Sequence, residues 1–125
     1  MIDCIATDHA PHPRRLKTAL PFSLAKPGFS GLETMFPVIY SFLIQPGLIS
    51  WQVAVRATSF RPGAIINHHQ TTIDVGHPAN LVVVDIKNHR QVKATQLASA
   101  SHSSPFQNWW LTGWPIYNII RGQLY

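Results

Sequence analysis

The sequence predicts an α/β fold class in which the end of a larger layered protein runs into a small β appendage. Three observations predict it. Ile2 to Thr7 is a short, continuously apolar run that stops at the polar Asp8-His9-Ala10-Pro11-His12, the pattern of a strand buried on both faces. Leu32 to Leu43 and Trp51 to Ser59 carry apolar residues at helical spacing. Ala79 to Ile86 and Ile116 to Ile120 are rich in β-branched residues, as strands are.

Each element follows from local chemistry. The opening run is a strand that feeds a polar loop. Pro13 to Ser30 holds Pro13, Pro21, Pro27 and Gly28, a proline density that predicts a long loop without regular helix; such loops are usually functional. The first helix spans Leu32 to Leu43, with Pro37 in its opening turns, and Gln45-Pro46-Gly47 ends it. Ser50 is an N-cap for a second helix, Trp51 to about Ser59, which Arg61-Pro62-Gly63 breaks. Ala79 to Ile86 is a strand, Gln91 to Leu97 a weaker one, Ala98 to Pro105 a Ser-rich loop, and Arg121-Gly122-Gln123 a turn. Residues 1–66 are expected as the last strand, loops and helices of an α/β unit, and 67–125 as a β-rich segment.

Composition narrows the function classes. The chain has 125 residues, half of the roughly 250 that a whole eight-strand barrel needs. Hydrophobic residues are 46%, enough for a core. Charged residues are only 12%, and the net charge of +5 reflects few acids rather than a basic stripe, which argues against a nucleic-acid surface. One cysteine, Cys4, excludes an intrachain disulfide and a multi-cysteine zinc site. The start shows no secretory leader, and the apolar stretch Met35 to Ile49 is cut by Pro37, Gln45, Pro46 and Gly47, so a cytoplasmic location is expected.

Several side chains suit chemistry. Asp8 stands at the carboxyl end of the predicted strand, where α/β barrels keep their reacting groups; an acid there can hold a metal or take a proton from metal-activated water. His12, stiffened by Pro11 and Pro13, can donate to an anionic substrate, and His9 is an alternative metal ligand. Ordinary turn chemistry also places Asp and His in such loops. Lys26-Pro27-Gly28-Phe29-Ser30-Gly31 lets the backbone approach a ligand closely, or merely permits a turn into the helix. Glu33, the only glutamate, is expected to serve the helix dipole. His68, His69, His77, His89 and His102 are expected as solvated loop residues. Trp109, Trp110, Trp114 and Phe106 are expected to pack rather than to stack on bases.

Ile2-Asp3-Cys4-Ile5-Ala6-Thr7-Asp8-His9-Ala10-Pro11-His12 resembles the signature at the last barrel strand of dihydroorotases of the long-chain bacterial type, which are metal-dependent cyclic amidohydrolases. The likeness continues through Ala25-Lys26-Pro27-Gly28-Phe29-Ser30-Gly31-Leu32-Glu33-Thr34, through Val75-Gly76-His77-Pro78-Ala79-Asn80-Leu81-Val82-Val83-Val84-Asp85, and to Gly122-Gln123-Leu124-Tyr125. Lys26 stands where the family usually has proline, and Asn80 where it has aspartate. The resemblance implies the C-terminal part of a TIM barrel followed by a small composite β segment. It implies the interconversion of N-carbamoyl-L-aspartate and L-dihydroorotate in pyrimidine synthesis, with two zinc ions. It makes Asp8 the metal ligand and proton shuttle, and places His12, Pro27 and Gly28 against the substrate. The family's His-x-His pair, modified lysine and two further histidines fall before this stretch, so the chain alone is expected to be inactive. The first alternative is a different cyclic amidohydrolase, an allantoinase or hydantoinase; these share the aspartate but usually not the final histidine, so His12 argues against it. A non-catalytic remnant that packs on a partner such as an aspartate transcarbamoylase, or on its own copies, is the other expectation.

Overall fold

The computed structural model describes residues 2–18, 21–68, 72–99 and 101–125. His69, and parts of the long loop (Ala19, Leu20) and of the Ser-rich loop (Ala100), lie outside the described residues.

The described residues form a small mixed helix-and-sheet structure rather than a barrel. Residues 2–7, expected as a strand, run without a ladder. The reason is that a strand exists only through its neighbours, and among the described residues the one backbone bond that anchors the run goes to a helix: Ile5 N–H donates to the Ala57 carbonyl at 2.9 Å. The long loop is less irregular than its prolines suggest. It holds the one-turn helix α1 (Arg15–Thr18) and a 3₁₀ turn at Phe22–Leu24.

The first expected helix is present as α2 (Met35–Ile39), which widens into a π-helical turn at Tyr40–Ile44. Pro37 sits near its start and is buried. The second is α3 (Trp51–Val55), and Ser50 is its cap, with its hydroxyl accepting from Val53 N–H at 3.3 Å. This helix does not break at Arg61-Pro62-Gly63. It widens into a π-helical turn at Arg56–Phe60 and continues as α4 (Arg61–Ile65). In the widened turn the N–H of Arg61 reaches back five residues to Arg56. Pro62, next in that pattern, has no N–H for Ala57, and Ile5 fills the vacancy. The core gathers Ile39, Tyr40, Ile44 and Ala54, with Ile5, Met35, Phe36, Leu43 and Ile49 packed on it.

The β segment is a three-stranded antiparallel sheet in the order β1–β4–β5, with a separate two-stranded pair β2–β3. The strands are β1 (Leu81–Asp85), β2 (Arg90–Gln91), β3 (Trp110–Leu111), β4 (Trp114–Ile120) and β5 (Gln123–Leu124). Leu81 faces Ile119 and Asp85 faces Trp114, with an irregularity between Val83 and Val84 where Pro115, lacking a donor, is accommodated. Arg121 (φ 50) and Gly122 (φ 81) make the two-residue turn between β4 and β5, both with the positive φ that such hairpins favour. The weaker strand expected over Gln91 to Leu97 is a correction: only Arg90–Gln91 pairs, and Ala94–Gln96 is a 3₁₀ turn. Val92 prolongs the contact by one residue, its N–H donating to the Trp109 carbonyl at 2.8 Å and its carbonyl accepting from Asn108 N–H at 2.9 Å, before the chain turns away.

The aromatic cluster is also smaller than expected. Phe106 packs edge-on to Trp109 and Trp109 to Phe42. Trp110 is 63% exposed, and Trp114 spends its N–H on the Leu111 carbonyl. No helix among the described residues is long and apolar enough to cross a membrane.

Candidate functional site

The sequence makes two loops chemically interesting, and the fold brings them together. Asp8 adopts φ 45, a left-handed conformation that aspartate tolerates better than most residues, and turns the chain. The next residues lie parallel to the second loop: His9 bridges to Phe29, and Ala10 N–H donates to the Phe29 carbonyl at 3.1 Å. Gly28 (φ 106) makes the approach possible, because a Cβ there would lie 2.5 Å from the Ala10 carbonyl oxygen and 2.7 Å from the Ala10 Cβ.

Three further groups hold this arrangement. His9 Nδ1 accepts from the backbone N–H of both Gly31 and Leu32, each at 3.2 Å. The Lys17 ammonium donates to the Lys26 carbonyl at 3.0 Å and to the Gly28 carbonyl. Ser30, which is buried, shares its hydroxyl with those of Ser99 (2.6 Å) and Ser101 and donates its N–H to the Ser103 carbonyl at 2.8 Å. Glu33 departs from the dipole role expected of it. It lies in the turn before α2, and its two carboxylate oxygens accept from Ala98 N–H (3.0 Å) and Ser99 N–H (3.2 Å). The β-side loop thus closes on the second loop.

Among the residues expected to act, Asp8 is exposed with no hydrogen bond among the described residues, His12 and Gly28 are half-buried, and Pro27 is exposed. No group of three or more His, Cys, Asp or Glu side chains converges among the described residues. Asp8 offers an exposed carboxylate that could contribute one ligand to a metal, whereas His9 has already engaged Nδ1. The other histidines stay apart. His68 and His77 are exposed; His89 and His102 are exposed too, yet their Nδ1 atoms bond to the Thr112 hydroxyl (3.2 Å) and to the Ala94 carbonyl (3.1 Å), so neither is merely solvated. Lys17, Ser30 and the bonding of His9 escaped the sequence reading. Hydrogen bonds between loops leave no periodicity by which a sequence could announce them.

No protein-family model matches the chain. Curated proteins do. The chain is 38% identical over 121 residues to the dihydroorotase of Ruminiclostridium cellulolyticum, covering 97% of this chain and 28% of that protein. It is 37% identical over 126 residues to the dihydroorotase of Mycobacterium tuberculosis, covering 99% of this chain and 29% of that one. The chain spans little more than a quarter of the length of these relatives. In structure it is similar to a D-hydantoinase from Thermus sp., with a TM-score of 0.83 over 98% of this chain and 28% of the other, at 22% identity. That likeness concerns the fold alone. Over nearly its whole length, then, this chain is dihydroorotase-like, resembling one stretch of a hydrolase of cyclic amides.

Proposed function

We propose that the chain is the C-terminal segment of a cytoplasmic, zinc-dependent dihydroorotase that interconverts N-carbamoyl-L-aspartate and L-dihydroorotate in pyrimidine synthesis. Residues 1–66 close its TIM barrel and 67–125 form its β segment. The observation that carries this reading is the zipping of the Asp8–His12 turn, the specific run of the family resemblance, to Pro27–Gly31, a second stretch in which that resemblance continues. Two zinc ions, when bound, supply activated water for attack on the cyclic amide. Asp8 ligates metal and takes the proton at its carboxylate as the amide is attacked. His12 donates to the anionic substrate, and the backbone of Pro27 and Gly28 borders the ring.

A second reading is supported by exposed apolar side chains, among them Ile2 (81%) and Phe22 (98%). A remnant that packs on another copy or on an aspartate transcarbamoylase would cover such surface.

The test carries these 125 residues whole in place of the matching stretch of the R. cellulolyticum dihydroorotase, and assays carbamoyl-aspartate cyclisation with zinc, beside hydantoin and allantoin hydrolysis. Cyclisation is the expected activity. Asp8→Asn should lower it by roughly a hundred- to ten-thousand-fold. His12→Ala should lower turnover with zinc content unchanged. Preference for hydantoin or allantoin overturns the substrate, and loss of zinc from the His12 variant overturns that residue's role.

A further inference from the structure

Resting on that reading, we propose that His9, though not a metal ligand, is a positioning residue: its Nδ1 fixes the Asp8–His12 turn against the Pro27–Gly31 turn, so that both address one ligand. An imidazole nitrogen that accepts a hydrogen bond carries no proton, and the hydrogen bonds leave little freedom here. Backbone N–H groups only donate, and those of Gly31 and Leu32 both point at Nδ1 at 3.2 Å. The ring proton therefore sits on Nε2. The equal, rather long distances are those of one lone pair shared between two donors.

The position of this bond gives it its consequence. His9 directly follows Asp8, whose left-handed backbone sends the chain into the turn. Gly31 and Leu32 follow the Gly28 backbone at the other side of the contact. Between them the two turns share the short parallel bridge of His9 with Phe29, in which Ala10 N–H donates to the Phe29 carbonyl at 3.1 Å, together with the close approach at Gly28. A bridge confined to one residue pair leaves two loops room to pivot. A second attachment through a rigid ring removes the pivot and sets the orientation of the Asp8 carboxylate relative to Gly28. Misplacement by about 1 Å of a group that holds substrate costs on the order of a hundredfold in rate.

The experiment exploits side-chain geometry. Asparagine places an acceptor oxygen near the Nδ1 position, whereas glutamine reaches toward Nε2. In the whole 125-residue chain, selective ¹⁵N-histidine spectra should show His9 with a bare Nδ1, and the amides of Gly31 and Leu32 should exchange faster in His9→Ala than in the parent or in His9→Asn. In the dihydroorotase carrying this chain, His9→Ala and His9→Gln should lower kcat about tenfold or more with zinc content and melting temperature held. His9→Asn should recover most of the loss. A proton on Nδ1, or amides of Gly31 and Leu32 indifferent to His9→Ala, overturns the geometry. Protected amides without rescue by asparagine overturn the positioning role. An inactive chimera with His9 intact overturns the dihydroorotase reading and with it any effect of His9 on turnover, while the spectra still decide the bond.

Discussion

The N–H of Ile5 donates at 2.9 Å to the carbonyl of Ala57, the acceptor that Pro62 leaves open five residues further along the widened helix. An extended segment and a helix are thereby joined through a missing donor. Pro62→Ala would restore an N–H within reach of Ala57. The helix should tighten, and the Ile5 amide should lose its sole claim on that carbonyl. Hydrogen exchange at Ile5 is expected to speed up several-fold while exchange within α3 does not. Unchanged protection at Ile5 would show that the proline is incidental.

Gly28→Ala tests the contact between the two turns. The substitution forces a left-handed conformation on an L-residue, which costs about 1–2 kcal/mol, and puts a methyl group 2.5 Å from the Ala10 carbonyl oxygen. The backbone on both sides is fixed, so no flexible side chain can relieve the clash, and overpacking adds about 1–3 kcal/mol. A loss of about 3 kcal/mol is expected by denaturant titration. The effect should extend to the Ala10 amide, whose exchange reports the bond to Phe29. Full retention of stability would place the loops further apart than described.

The parts of this fold that could be read in the sequence are those dictated by neighbours along the chain. Ser50 caps its helix, the β-branched run over Leu81–Asp85 pairs, and the Arg121-Gly122 turn joins two strands. What could not be read depends on distant partners. Ile2 to Thr7 has a strand's composition, yet its anchoring donor meets a helix carbonyl. Pro62 reads as a breaker until the widened turn before it is known. The same division holds at the site: Asp8, His12, Pro27 and Gly28 stand out by residue type, whereas His9, Lys17, Ser30 and Glu33 act through bonds spanning 9 to 73 residues.

Acid should weaken the end of β1 in a defined sense. The Asp85 carboxyl lies below its ordinary range, chiefly because the Asn88 side chain donates to it at 2.8 Å. The backbone N–H groups of Lys87 (3.0 Å) and Asn88 (3.2 Å) act in the same direction, with a smaller contribution from Arg90. A carboxyl depressed in the folded state stabilises above its unfolded pKa, about 3.9 for aspartate. That contribution is lost as pH falls through the lower folded value. Stability measured from pH 5 downward should therefore decline, and Asp85→Asn should flatten the part of the decline due to this residue. A titration unchanged by the substitution would assign the acid sensitivity elsewhere.

Glu33 joins the two halves of the chain, since its carboxylate receives two N–H groups 65 and 66 residues away. Glutamine in its place keeps one acceptor oxygen and turns an NH₂ group toward the other donor, so one bond becomes a repulsive contact. Hydrogen bonds to charged groups contribute about 1.5–3 kcal/mol, and the half-buried setting of Glu33 argues for the lower end of that range. Glu33→Gln should thus cost about 1.5 kcal/mol. The loss should be felt first where the bonds end: the amides of Ala98 and Ser99 should exchange faster, while those of β1 and β4 keep their protection. Ser30 holds the same loop through the Ser99 and Ser101 hydroxyls and the Ser103 carbonyl. Combining Glu33→Gln with Ser30→Ala should therefore cost less than the sum of the two changes, because each attachment restrains the loop for the other and losing either one already weakens both. Simple additivity in that double-mutant cycle would mean that the two attachments act independently.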